Sequence, residues 1–260
     1  MDSLFPGVAL VIGAASGIGR QVALSFAQEG CLRIILVDRD SAKLAGSAQM
    51  IRGLDLTAAP DLLSLTVDIS NEDDIINMMD CTVRKFGRID YAVNAAGILG
   101  NSQSSVLTSS GQFDQINGVN YRGCWLCSRA EIAQMLKQDP LPTHDGRPGN
   151  RGSVVNISSQ LGVVGREKSS KAAVIGMTRA DAIDYSPSQI RVNCVCPGLV
   201  DTPMLETFEK HVLQRDIAVA PMNRMGTPQE IADVVLFLAS SKASFIQGAT
   251  FVVDGGYTIN

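Results

Sequence analysis

Val8-Ala9-Leu10-Val11-Ile12-Gly13-Ala14-Ala15-Ser16-Gly17-Ile18-Gly19 decides how this chain folds. An apolar run ends in glycines, and Gln21-Val22-Ala23-Leu24-Ser25-Phe26-Ala27 follows at once with helical periodicity, so the stretch reads as strand, tight turn and helix start. Gly13 can turn sharply because it has no Cβ, while Gly17 and Gly19 let a ligand and the sheet approach the backbone. The first N–H groups of the helix, backed by its dipole, make a site for paired phosphates. The spacing is G-x-x-x-G-x-G and not the commoner G-x-G-x-x-G, so taken alone a glycine-rich turn without a ligand stays open.

Outward from that turn, apolar runs alternate with helical patterns. Leu32-Arg33-Ile34-Ile35-Leu36-Val37-Asp38 reads as a buried parallel strand closed by an acid, and residues 41–52 as a helix. Asp38 lies 19 residues beyond Gly19, where a carboxylate accepts from ribose hydroxyls and repels a 2′-phosphate, which favours NAD over NADP. Arg39 is the counterweight, since a guanidinium can hold that phosphate, and a helix N-cap is the other reading of Asp38. Further strands are expected at residues 62–67, before Asp68, and at Ile89-Asp90-Tyr91-Ala92-Val93-Asn94-Ala95-Ala96-Gly97, 153–159, 190–196 and 250–253. Helices are expected up to Gly87, as one long element over 113–137, and at 172–185 and 231–238; residues 137–152 read as a surface loop. The alternation predicts an α/β fold: a Rossmann-type doubly wound parallel sheet in three α/β/α layers, forming a single domain over residues 1–260.

Composition narrows the function classes. Of 260 residues 45% are apolar and 18% charged, which suits a packed globule, and a net charge of −4 tells against nucleic acid or anionic membrane as partners. The amino-terminal stretch has neither a basic region nor a long apolar core, so a soluble cytoplasmic protein is expected. The six cysteines are scattered through apolar segments as reduced thiols; Cys124-x-x-Cys127 lacks a second pair at zinc-like spacing, and no metal is expected. His144 and His211 have no partner motif.

Taken together, Gly13-x-x-x-Gly17-x-Gly19, Asp68, Asn94-Ala95-Ala96-Gly97, Asn120, Ser158-Ser159, Ser170-Lys171-Ala172-Ala173, Pro197-Gly198 and Asp254-Gly255-Gly256 resemble the short-chain dehydrogenase/reductase family, in its order and over nearly the whole chain. The resemblance implies a cofactor, NAD or NADP, lying across the carboxyl ends of the strands. It would be held by Gly13, Ser16, Gly17, Ile18, Gly19, Asp38 and Arg39, with Asp68 and Ile69 at the adenine. Asn94, Ala95, Ala96, Gly97 and Lys171 would follow, with Pro197, Gly198, Val200 and Thr202 towards the nicotinamide. A homodimer or homotetramer built on the two long helices is also implied.

In that family an asparagine holds a water, a serine orients the carbonyl, a tyrosine carries the proton, and a lysine lowers the tyrosine's pKa. Asn120, Ser159 and Lys171 match, but Glu167 stands four residues before Lys171, where the tyrosine belongs, and the Ser159-to-Lys171 connection is shortened. A carboxyl beside Lys171 suits a general base or an ion pair better than an acid; capping or surface roles are the alternatives. Lys171 can still bind the nicotinamide-ribose hydroxyls, and Ser159 can still polarise a carbonyl or enone, unless it is only a strand-end serine bonded to backbone.

The leading expectation is thus an NAD(P)-dependent oxidoreductase with a non-standard proton-transfer arrangement. Residues 199–225, rich in Met, Leu, Phe and Val, form an apolar lid suited to a bulky carbonyl or alcohol, enone or imine such as a natural-product intermediate of secondary metabolism. A non-redox isomerase or cyclase, and a cofactor-binding pseudoenzyme, are the competing classes.

Overall fold

The computed structural model describes residues 4–100, 103–164, 170–206 and 208–259. Strand β1 (Ala9–Ile12) is buried at every position, and the glycine turn delivers the chain into α1 (Gly17–Gln28). Then come β2 (Arg33–Asp38), α2 (Ser41–Arg52), β3 (Asp61–Thr66), α3 (Glu72–Phe86) and β4 (Tyr91–Asn94). The second half runs α4 (Ser110–Asn117), α5 (Cys124–Met135), β5 (Gly152–Ile157), α6 (Ser170–Tyr185), β6 (Ile190–Pro197), α7 (Lys210–Val219), α8 (Pro228–Ala239) and β7 (Thr250–Val253).

The strands form one sheet ordered β3-β2-β1-β4-β5-β6-β7, parallel throughout. Alternation along each strand sends side chains to opposite faces. Ala9, Val11, Ile34 and Leu36 meet Val22 and Phe26 of α1, Leu44 of α2 and Val235 of α8. Leu10, Ile12, Ile35 and Val37 meet Met78 of α3 and Leu126 and Ile132 of α5. Each such fully buried aliphatic side chain stabilises the fold by roughly 2 kcal/mol. The result is the expected three-layer arrangement. The order in which strands are added reverses between β1 and β4, which opens a crevice beyond their carboxyl ends.

Three local readings change. The long helix is broken in character: α4 and α5 are joined by a π-helical segment, Gly118–Gly123, that carries Asn120. An extra residue per turn is how a helix re-aims one side chain, and periodicity alone does not register it. The cap of α2 is Asp40, whose carboxylate accepts from the Lys43 N–H at 3.0 Å; Asp38 instead accepts from the Asp40 N–H at 3.1 Å. Within the expected lid, α7 forms a helix without a buried residue, so no apolar stripe announces it. Among the described residues, no helix is long and apolar enough to cross a membrane.

Candidate active site

Two glycines of the opening turn are required by contact. Gly13 has φ of +90°, and a Cβ on it would stand 2.6 Å from the Ala96 backbone nitrogen; a Cβ on Gly19 would stand 2.1 Å from the Gly13 carbonyl oxygen. The turn thereby brings the start of α1 against β1 and the end of β4. Ser16, the N-cap residue, makes no side-chain capping bond, and the first turn of α1 holds no acid, so an anion meets no competing carboxylate there.

In front lies a cleft of about 280 Å³, lined by Gly13, Ser16, Gly17, Ile18 and Gly19, by Asp38 and Arg39, by Asp68 and Ile69, by Ala95, Ala96 and Gly97, and by Thr202. Asp38 is aimed by its bonds, its Oδ2 accepting from the Ala15 N–H at 3.0 Å. Asp68 accepts from the Ser70 hydroxyl and amide, which hold its carboxyl below the ordinary value, with Arg39 adding a smaller pull. Sequence reasoning missed Lys43, Val119 and Ile98 in the lining. Lys43 sits 3.3 Å from Asp40 in the first turn of α2, and its position three residues after a cap was the available signal.

Asn94 is a correction. Its amide is 4% exposed and turned into the core, donating to Glu131 Oε2, Asn156 Oδ1 and Ser128 Oγ, so it braces β4 and leaves the lining to the three small residues after it. Pro197, Gly198 and Val200 also stand behind the cleft. Gly198 N–H is bonded to the Val253 carbonyl at 2.9 Å, and buried Val200 pairs with Gly226, which together hold the segment that carries Thr202 and Met204 into the lining.

Two of the catalytic candidates, Asn120 and Lys171, come together at Gly97. A Cβ there would stand 3.1 Å from Asn120 Oδ1 and 3.4 Å from Lys171 Nζ. Asn120 grips the main chain of Ile98 from both sides, accepting from its N–H at 2.8 Å and donating to its carbonyl at 2.9 Å, and also donates to Ser170 Oγ at 3.2 Å. Lys171 donates to the Ile157 carbonyl at 2.8 Å; burial draws its pKa below the ordinary lysine value, and the neighbouring Cys124, Cys194 and Cys196 oppose that pull. Ser159 Oγ accepts from the Leu161 N–H at 3.1 Å, which leaves its hydroxyl hydrogen able to point elsewhere. Glu167 lies outside the described residues. Of the four tyrosines none lines the cleft: Tyr91 packs with Phe5 and Phe26, Tyr121 is half-exposed on the π segment, Tyr185 ends α6 and Tyr257 is buried near the carboxyl terminus.

The family described as enoyl-(acyl carrier protein) reductase matches residues 13–258. The short-chain dehydrogenase fogB of Aspergillus ruber is 38% identical, with 97% of each chain covered. Among solved structures, levodione reductase superimposes with a TM-score of 0.88 at 30% identity, covering 98% of each chain. The 3-ketoacyl-(acyl-carrier-protein) reductase of Brucella melitensis, complexed with NADH, gives 0.84 at 32% identity, covering 98% of this chain and 100% of that one. With its parallel sheet, its glycine turn and its likeness to these proteins over nearly its full length, the chain belongs to the NAD(P)-dependent short-chain dehydrogenase/reductase family.

Proposed function

We propose that residues 1–260 act as one dinucleotide-binding domain that binds NAD(H) in preference to NADP(H) and oxidises or reduces a bulky, mostly apolar carbonyl or alcohol, enone or imine. The observation that carries this reading is the meeting of Lys171 and Asn120 at Gly97, at the end of a cleft that begins on the glycine turn. The donor set suits the cofactor. The open start of α1 matches paired phosphates, the Asp38 carboxylate matches ribose hydroxyls, and Val67, Ile69 and Val119 supply apolar walls for a flat ring. The bound nicotinamide supplies the hydride chemistry. Lys171 then holds the second ribose, Ser159 donates to the substrate oxygen, and Asn120 fixes the Ile98 backbone between them.

No tyrosine stands four residues before Lys171, so the proton path differs from the family's usual one; Glu167, which occupies that position in the sequence, is the local candidate for a base. That departure also supports a second reading, non-redox isomerisation or cyclisation on the same site, which product formed without cofactor turnover would favour. A bound dinucleotide with no product from any substrate would leave a pseudoenzyme. Exposed Leu99, Leu161, Val163 and Met204, on loops at the carboxyl ends of β4, β5 and β6, favour an apolar substrate. Six free cysteines, five of them buried, suit a reducing, cytoplasmic setting.

Titration with both dinucleotides, followed through the single Trp125 or by thermal shift, tests the assignment. Tighter NAD(H) binding is expected, because the pinned Asp38 carboxylate repels a 2′-phosphate. Equal failure of both would remove the oxidoreductase reading, and an NADP(H) preference would shift weight to Arg39 and Lys43. Exposed Phe113, Trp125 and Ile183 on the helices α4, α5 and α6 support a homodimer or homotetramer. Light scattering should give a multiple of the 27.6 kDa chain mass, and Ile183→Glu should lower it.

A further inference from the structure

Glu131 lies on the buried face of α5 with no exposed surface, far from any role in the family pattern. Its Oε2 accepts from Asn94 Nδ2 at 3.0 Å, while its Oε1 and Asn94 Oδ1 are both buried without a partner. The Asn94 amide has two hydrogens and three acceptors around it: Glu131 Oε2, Asn156 Oδ1 at 3.0 Å and Ser128 Oγ at 3.2 Å. Asn156 Oδ1 also accepts from Ser128 Oγ at 3.2 Å and Cys124 Sγ at 3.6 Å, and Asn156 Nδ2 donates to Thr178 Oγ1 at 3.0 Å.

This hub ties together the segments that carry the site. Asn94 precedes the Ala95–Gly97 wall on β4, Asn156 leads along β5 to Ser159, Cys124 directly follows the π segment of Asn120, and Thr178 lies two turns along α6 from Lys171. An ionised Glu131 would place a charge in the hub with one oxygen unpartnered; a neutral carboxyl removes that charge.

We propose that Glu131 is a positioning residue: in its neutral form it closes the Asn94–Ser128–Asn156 hub that aligns the cofactor wall with Asn120, Ser159 and Lys171, and its ionisation loosens the hub and weakens dinucleotide binding. The dinucleotide clause rests on the function proposed above; the hub clause does not. Of the groups facing Glu131, all but Asn94 favour the neutral form or leave it unopposed. Burial pushes its carboxyl up to about 8, the Asn94 bond opposes, and Asp181 of α6 raises it further. Asp181 is itself raised to about 6 by burial and by Asp184, so it is charged when Glu131 titrates. Cys124 and Cys127 beside it are held well above that range by burial. From α3, Glu72 pairs with Arg122 of the π-helical segment and with Arg129 on the exposed side of α5.

The test measures two things between pH 6.5 and 9.5 on the full chain, its E131Q variant and its D181N variant. One is hydrogen-exchange protection of residues 95–98 without cofactor, corrected for intrinsic exchange; the other is NADH affinity. Both should fall on the order of five- to tenfold as pH rises through the Glu131 midpoint. Glu131→Gln, neutral at every pH, should abolish the fall in protection and the part of the affinity fall centred on the Glu131 midpoint, and Asp181→Asn, by removing a repelling charge, should move that midpoint to lower pH. A flat protection profile in the parent chain, or an unchanged transition in E131Q, overturns the proposal. If E131Q does not fold, the direction of the D181N shift decides: a downward move supports it and no move overturns it. Failure of NADH to bind at any pH counts against the proposed function alone, and the exchange profile still decides the hub.

Discussion

Gly19→Ala is expected to destabilise the protein by about 3 kcal/mol and to remove dinucleotide binding, because the added Cβ would lie 2.1 Å from a backbone oxygen that cannot swing aside. Opening the turn to relieve that contact pulls the start of α1 off β1 and shifts the amide groups intended for the phosphates. Urea melts read the first effect and NADH titration the second. Gly46→Ala is the internal control: it lies inside α2 with nothing within 4 Å of its would-be Cβ, so it should stabilise by about 0.5–1 kcal/mol through helix propensity, with affinity unchanged. Equal effects of the two substitutions would show that the turn tolerates a side chain and that no phosphate rests there.

Lys171→Met should weaken NADH binding by about 10–100-fold, the loss of one or two charge-assisted hydrogen bonds of roughly 1.5–3 kcal/mol each. Fold stability should change little. The ammonium gives up its 2.8 Å bond to the Ile157 carbonyl, but its partial burial, which draws its pKa down, already opposes the charge. The pH dependence has a definite sign. A lysine whose pKa is lowered discharges earlier as pH rises, so affinity in the parent chain should show, besides the Glu131 transition, a fall below the ordinary lysine range that persists in E131Q and is absent from the methionine variant. Fluorescence of Trp125 across pH reads this. Retained affinity would move the ribose contact to another group.

The fold was legible because its information is one-dimensional. Apolar runs of four to eight residues ending at Gly13, Asp38, Asp68, Gly97 and Gly198 mark parallel strands whatever packs on them. The floor of the cleft was legible for the same reason, since Gly13 and Gly19 are required by backbone contact and Gly17 by its positive φ. Side-chain direction was not. Asn94 sits in a motif whose next three residues line the cleft, yet its own amide faces α5, because alternation along β4 sends it to the opposite side. Glu131 was invisible to a reading that treats acids on helices as solvated, although Leu126, Cys127, Ile132 and Met135 place it inside an apolar stripe. Lys43 and Asp40 were hidden as ordinary helix-start residues. The π segment was hidden because its apolar spacing is close to that of an α-helix.

β1, which precedes the other six strands of the sheet in sequence, ends up inside it, with β2 on one side and β4 on the other. During translation β1, β2 and β3 can assemble as they leave the ribosome, but the opposite flank of β1 has no mate until Tyr91–Asn94 arrive roughly eighty residues later, on the order of ten seconds of synthesis. For that interval the nascent chain exposes an apolar, unpaired backbone edge, the kind of surface that seeds misassembly on crowded polysomes. The same arrangement that places the crevice at the centre of the finished sheet therefore leaves that edge open until β4 has been made.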